Sequence, residues 1–497
     1  MTSNFELDSL KISMADPKLA SLELRVRVQR ALRQLIREGR LAPGCRLPAT
    51  RALAQSLRLS RDTIEMAYVQ LQLDGYLCRR KGSGSFVADR SGSSLLGAAV
   101  GKNHLSASLR PQPQAAPVLS ARGADILAGG GVADQQQVRA FATGLPETRT
   151  FPLAVWERLQ RQVLKDYRSS VLLHGDPQGA EPLRQAIADY LNLERGARVT
   201  ADQVLVLSST RQALFLCAQM LVDAGATMLM EDPGYFGARK SFELAQLKIA
   251  PIPVDAQGLR TDLLRADRSG ANTIYVTPSH QYPTGATLAL KRRLDLIAWA
   301  AERQGWIIED DYDSQFHYEG VPTACVQGLD QFHRTIYLGT FSKSLYPGLR
   351  MGYMVLPHEL LKPMRHARSI LDGHTPQIAQ LTLARFMDGG HFAAHIRVMR
   401  KIYAQRRDAM ADAVRRRLDG IVTAHLPPGG LQLPCLLTAG RTEAETIRQA
   451  ARAGIQLPGL SRLYANPPAT GGWLLGFAAL SPEEIEAAIQ RLEKAIR

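Results

Sequence analysis

The chain has little cysteine, no long apolar run and no internal repeat. Its five cysteines, Cys45, Cys78, Cys217, Cys325 and Cys435, are scattered without a C-x-x-C pair. That spacing supports neither a zinc site nor a disulfide framework, and no metal is expected. No stretch reaches the roughly 18 apolar residues that a membrane span needs. The early acids Glu6 and Asp8 are unlike a secretory leader. The expectation is a cytoplasmic protein with reduced thiols. Acidic residues are scarce in one segment: residues 19–90 hold 14 Lys or Arg against 6 Asp or Glu, net +8 of the chain's +15. So local an excess is compatible with a polyanionic partner. At 497 residues the chain exceeds the roughly 250–300 residues of a single core, so more than one domain is expected.

The stretch around which the rest is organised is Tyr337-Leu-Gly-Thr-Phe-Ser-Lys-Ser-Leu-Tyr-Pro-Gly-Leu-Arg350, an apolar run ending in a lysine flanked by hydroxyls. Thirty-three residues before Lys343, Trp306-Ile-Ile-Glu-Asp310-Asp-Tyr312 ends a second apolar run in acids and a phenol. A pyridoxal 5'-phosphate site needs a lysine for the Schiff base, a carboxylate for the pyridine nitrogen, and donors plus a cation for the phosphate. Lys343, Asp310, Thr340, Ser342 and Arg350 supply that set. The strings EDDYD and GTFSKSLYPGLRMGY resemble the MocR/GabR-type regulators of the GntR family, in which a fold-type I aminotransferase-like domain follows a DNA-binding head.

In the basic segment, Leu24, Val28, Leu32, Leu35 and Ile36 recur at helical spacing and Gly39 stops the helix. A second helix is expected from Thr50, taken as its N-cap, and a third from the cap Ser60. Tyr76 to Val87 reads as two short strands around a Gly-rich tip. LPATRALAQSLRLSRDTIEMAYVQLQLDGYL followed by GSGSFV resembles the GntR-type winged helix. The resemblance implies that Arg51 and Arg61 meet phosphates or guanine edges and that Thr63 lies near base edges. It also implies that Gly82 lets the wing approach the minor groove, with Arg79, Arg80 and Lys81 as backbone contacts. The partner the resemblance implies is double-stranded DNA. Residues 1–18 suggest nothing.

Residues 91–138, rich in Gly, Ala, Ser, Pro and Gln, read as a flexible linker. Over 139–497, helical stretches alternate with short apolar runs, the pattern of an α/β fold with a parallel sheet. The runs 204–207, 227–230, 273–276, 306–308 and 336–338 each lead into a polar turn, and ligands of open α/β sheets bind beyond such strand ends. Ser208-Ser-Thr-Arg-Gln opens a helix, which is a phosphate site. The resemblance gives Ser209 and Thr210, with Arg211 a further candidate, the phosphate, although the family has glycine where Ser209 stands. It makes Tyr235 the residue stacked on the pyridine ring. Tyr282 stands where aminotransferases carry the asparagine that bonds the ring hydroxyl, and Tyr312 would offer its phenol to that oxygen. Arg462, in Pro458-Gly-Leu-Ser-Arg-Leu-Tyr464, resembles the regulators' effector-carboxylate arginine, while Leu474 occupies the position where aminotransferases carry theirs. Gly237 stands where a GABA-sensing relative has a second arginine, and His174 where many relatives have a tyrosine reaching a neighbouring subunit's phosphate. The resemblance therefore implies a head-to-tail homodimer that senses an amine, an amino acid or a B6 vitamer. The competing reading is an active aminotransferase with an accessory DNA-binding head.

Overall fold

The computed structural model describes Phe5 and residues 7–80, 82–89, 119–132, 137–320, 323–438, 440–468 and 471–497. The chain divides into two compact units, residues 1–118 and 119–497.

The first unit is a small helical core closed by a hairpin. Helices α1 (Leu7–Met14), α2 (Leu24–Arg37), α3 (Thr50–Leu57) and α4 (Arg61–Leu73) precede strands β1 (Leu77–Arg80) and β2 (Gly84–Val87), which pair antiparallel from Leu77 opposite Val87 to Arg80 opposite Gly84. The apolar stripe of α2 (Val28, Leu32, Leu35) meets Leu53 of α3 and Ile64, Ala67, Tyr68 and Leu71 of α4 in one buried cluster. The Tyr68 hydroxyl donates to the Pro48 carbonyl (3.0 Å), which ties α4 to the entry of α3. Two sequence expectations need correction here. Thr50 is the first residue of α3 rather than its cap; Ala49 holds the cap position and makes no side-chain capping bond. Residues 1–18 are also not featureless, because α1 buries Leu10 against the head core.

Helix α5 (Ala121–Gly129) opens the second unit, inside the stretch read as linker. No residue of α5 is buried, so an argument from apolar burial does not detect it. It is held by polar contacts: Ser120 accepts from the Gly123 amide (3.1 Å) and Arg122 donates to the Gln246 side chain (2.9 Å).

The body follows as α6 (Leu153–Tyr167), α7 (Glu181–Arg195), β3 (Val204–Leu207), α8 (Thr210–Leu221), β4 (Thr227–Asp232), α9 (Phe236–Leu244), β5 (Lys248–Asp255), β6 (Gly258–Leu259), β7 (Thr273–Val276), α10 (Leu290–Glu302), β8 (Trp306–Asp311), α11 (Val326–Leu329), β9 (Thr335–Thr340) and β10 (Gly352–Val355). These eight strands form one sheet in the order β3-β10-β9-β8-β7-β4-β5-β6. β9, β8, β7, β4 and β5 run parallel. β10 is antiparallel to both β3 and β9, so β3 points the same way as the parallel set. Helices cover both faces, which is why β3, β7 and β9 are buried throughout and read as unbroken apolar runs. The carboxyl ends of β3, β4, β7, β8 and β9 share one edge of the sheet.

Helices α12 (His358–Leu371), α13 (Gln377–Asp388) and α14 (His391–Arg417) lead to a smaller antiparallel sheet of β11 (Val422–Ala424), β12 (Gln432–Leu437) and β13 (Gly472–Gly476). α15 (Glu443–Arg452) connects β12 to β13, and α16 (Pro482–Ile496) ends the chain.

Candidate functional site

The five strand ends open onto a cavity of about 760 Å³. Lys343, Asp310, Tyr312, Tyr235, Tyr282, Ser209, Thr210, Thr340, Ser342, Arg350 and Arg462 all line it.

After β3, Ser209 caps α8 by accepting from the Gln212 amide (3.2 Å). A side chain here thus does local work that a glycine could not do. Thr210 and Arg211 begin the helix at the cavity wall, which brings its N-terminal turn to the space. The turns after β4 and β7 are fastened together. Buried Glu231 accepts from the Thr277 amide (3.0 Å) and hydroxyl (2.6 Å), and Gln281 donates to the Pro233 carbonyl (2.7 Å). Burial pushes Glu231 up to about 7. The turns present Tyr235 and Tyr282 edge to face, with centroids 5.5 Å apart. Gly237 makes room for the Tyr235 ring, since a Cβ there would come within 2.5 Å of the phenol. Tyr282 meets Tyr312 in the same way at 6.0 Å. Burial raises the Tyr282 phenol to about 12, opposed by the Arg462 charge.

At the end of β8, Asp310 accepts from the Tyr275 hydroxyl through Oδ2 (2.7 Å). Its Oδ1 is buried without a partner among the described residues. Burial, reinforced by Asp311 and Asp313, raises its pKa to about 7 against the opposing effect of the Tyr275 hydroxyl and Lys343. Tyr312 donates its hydroxyl proton to the His280 carbonyl (3.0 Å), so toward the cavity its oxygen offers lone pairs. After β9, Thr340 Oγ1 accepts from the Ser342 amide (3.1 Å), and Lys343 Nζ donates to the Gly144 carbonyl (2.6 Å). Arg350 adopts a left-handed conformation (φ 52°) after the turn Pro347–Leu349, and it lines the same wall as Ser342.

Two kinds of wall residue escape a motif reading. Tyr275 sits inside β7 and looks like an ordinary apolar strand residue; the available signal is that a buried phenol needs a partner. Gly144 and its neighbours, with Ile447 and Ala451 of α15 and Ile455 and Leu457 just after it, come from segments without motifs. Leu474 is buried with Leu460 and Leu463 and offers no charge. His174 is not among the cavity-lining residues and packs edge-on against His374 (5.7 Å).

In the head, Arg51, Arg61, Arg79, Arg80 and Gly82 are exposed and Thr63 is half-buried. Ser60 caps α4, accepting from the Thr63 amide (3.1 Å), which places Arg61 and Thr63 in the first turn. Arg79 pairs with Glu65 of α4 (2.5 Å), and the Arg80 guanidinium lies over the Phe86 ring (4.9 Å). Gly82 takes φ 76°, the left-handed conformation the hairpin tip requires. Lys81 lies outside the described residues.

Residues 141–492 match the family described as aminotransferase class I and II, and residues 24–87 match bacterial regulatory proteins of the gntR family. The chain is 34% identical over 477 residues to the probable rhizopine catabolism regulatory protein MocR of Rhizobium meliloti, covering 96% of this chain and 94% of that one. It is likewise 34% identical over 474 residues to the HTH-type transcriptional regulator YdeL of Bacillus subtilis, covering 95% and 97%. Among solved structures, the kynurenine aminotransferase of Pyrococcus horikoshii, in complex with PMP, superposes with a TM-score of 0.67 at 29% identity, covering 72% of this chain and 90% of that one.

Proposed function

From the premise that this chain belongs to the aminotransferase class I and II family and, through its gntR-family head, to the MocR-type transcriptional regulators, we propose that it holds pyridoxal 5'-phosphate on Lys343. We propose further that it adjusts its DNA binding to an amine or amino acid. The observation that carries the reading is Asp310: a buried carboxylate with one oxygen unpartnered among the described residues, in the cavity that also holds the Lys343 amine. A protonated pyridine nitrogen is the cation such an acid lacks, so the residues present fit the cofactor.

Within that reading each wall has a task. The first turn of α8 with Thr340, Ser342 and Arg350 would hold the phosphate, combining a helix N-terminus with a fixed cation. Tyr235 would lie against the ring, and Tyr312, whose proton goes to the His280 carbonyl and is not available to donate, would accept from the ring hydroxyl. Arg462 would receive an effector carboxylate by its guanidinium fork. When bound, the cofactor supplies an aldehyde carbon for which an incoming primary amine competes with Lys343.

In the head, Arg51 and Arg61 would meet phosphates or guanine edges and Thr63 would lie near base edges, while Gly82 would let the wing approach the minor groove with Arg79, Arg80 and Lys81 as backbone contacts. The exposed leucines Leu153, Leu164, Leu172 and Leu173 offer the apolar surface that a second copy would cover in a head-to-tail homodimer. Among the described residues no helix is long and apolar enough to cross a membrane, in keeping with a cytoplasmic site of action.

The test is operator binding by the cofactor-loaded protein, titrated with a panel of amino acids and amines. At least one member shifts the affinity of the wild type and leaves Lys343→Ala unmoved. A shift that persists in Lys343→Ala refutes sensing at this lysine. Accumulation of pyridoxamine phosphate with an amino donor alone would favour the aminotransferase reading instead.

A further inference from the structure

We propose that Glu443 is the positioning residue for Arg462. Its carboxylate gathers the loop that carries the arginine and fixes where the guanidinium meets a ligand carboxylate. The inference rests on the role given to Arg462 above.

Glu443 is the first residue of α15, and Ile447, one turn along, lines the cavity. Its Oε2 accepts from the amides of Leu460 (3.1 Å), Ser461 (3.0 Å) and Gly472 (2.9 Å) and from the Ser461 hydroxyl (2.9 Å). Oε1 takes a further contact from the Ser461 amide (3.2 Å). Two separate segments, 460–461 and the start of β13, thus converge on one side chain. Both glycines beside it are needed: a Cβ on Gly459 would collide with the carboxylate, and one on Gly471 would lie 2.8 Å from Oε2.

Capping α15 is not the reason for this arrangement. Thr442 already caps the helix, accepting from the Glu445 amide (3.3 Å). The clamped peptide leads straight into the turn Ser461–Leu463, of which Arg462 is the centre.

On the far side of Arg462 the grip comes from the end of β4, the turn after it and α9. The Leu463 carbonyl accepts from the Gly234 amide (3.0 Å) and Arg239 (3.2 Å). The Tyr464 carbonyl accepts from Arg239 (3.2 Å), and Asp232 accepts from the Ala465 amide (2.7 Å). Arg462 is therefore suspended between Glu443 and the turn that also carries Tyr235. A backbone held on both sides of Arg462 fixes the point from which its side chain reaches into the cavity, and a carboxylate acceptor of several N–H groups is a strong anchor.

The test compares two probes that carry the cofactor's ring and phosphate and differ only in a carboxylate: N-(5'-phosphopyridoxyl)-L-leucine and N-(5'-phosphopyridoxyl)-3-methylbutylamine. The leucyl chain suits the apolar wall of Ile447, Ala451, Ile455 and Leu457. Both are titrated calorimetrically into full-length protein stripped of cofactor. The wild type prefers the carboxylated probe by about tenfold to a hundredfold, the range of one hydrogen bond to a charged partner. Glu443→Ala and Arg462→Gln each abolish that preference while leaving the decarboxylated probe bound as before, and the double variant loses no more. Glu443→Gln, whose amide oxygen can replace Oε2, keeps most of it. If Glu443→Ala retains the preference, or weakens both probes alike, Glu443 is scaffold only and the proposal fails. If the wild type binds both probes equally, the role of Arg462 falls and takes this proposal with it. If it binds neither, the cofactor reading itself is wrong.

Discussion

Asp310 binds its proton more tightly than an exposed carboxyl does, and its titration makes that testable. Burial raises its pKa to about 7, and burial does the same to Glu231 and Glu309. In the unfolded chain these carboxyls ionise near 4. Between those limits each of these carboxyls binds more proton in the folded protein than in the unfolded one, so the stability they contribute falls as pH rises from about 4 to about 7. Cofactor-free Asp310→Asn lacks one of the three groups. Its melting temperature therefore declines less over that window than the wild type's, and parallel melting curves would contradict the assignment. At this scale the sequence was legible where a residue type has few other uses. A lysine and an acid at the ends of two apolar runs could be paired before any geometry was known. Tyr275 could not be, because its partner Asp310 is 35 residues away in sequence and on a neighbouring strand.

Elements were legible where their burial is uniform. The five apolar runs are β3, β4, β7, β8 and β9, each buried on both faces. β5 was hidden by Pro251 and Pro253, which it carries while pairing with β4 along its length and with only two-residue β6 on the other side. Prolines are tolerated beside such an open edge. β10 was read as the tail of the lysine motif rather than as the antiparallel strand that joins β3 to β9. Helix α1 escapes a reading of the sequence, although it sets Leu10 in the head core with Leu7 and Met14 packed beside it. Leu10→Ala should cost about 2–5 kcal/mol as a core truncation, lowering the head's unfolding midpoint in urea and weakening operator binding. The absorption spectrum of the cofactor-loaded body should stay unchanged. Ser60→Ala removes the cap of α4 and should cost about 1 kcal/mol, again in the head.

For the whole molecule the account joins a basic head to a cofactor-holding body, and each half predicts its own behaviour. Operator affinity should fall steeply with salt. Arg51→Ala and Arg61→Ala should each weaken binding and, where a phosphate contact is lost, reduce the log–log salt slope by about one. Coupling between the halves is reciprocal: whatever factor an effector changes operator affinity by, operator DNA changes effector affinity by the same factor. The central claim is that Lys343 holds the cofactor. It is tested most directly by the visible absorption spectrum of the purified protein and of Lys343→Ala after incubation with pyridoxal 5'-phosphate. The account predicts a band for the lysine-bound cofactor in the wild type that the variant lacks. The same band in both, or no band in either, would contradict it.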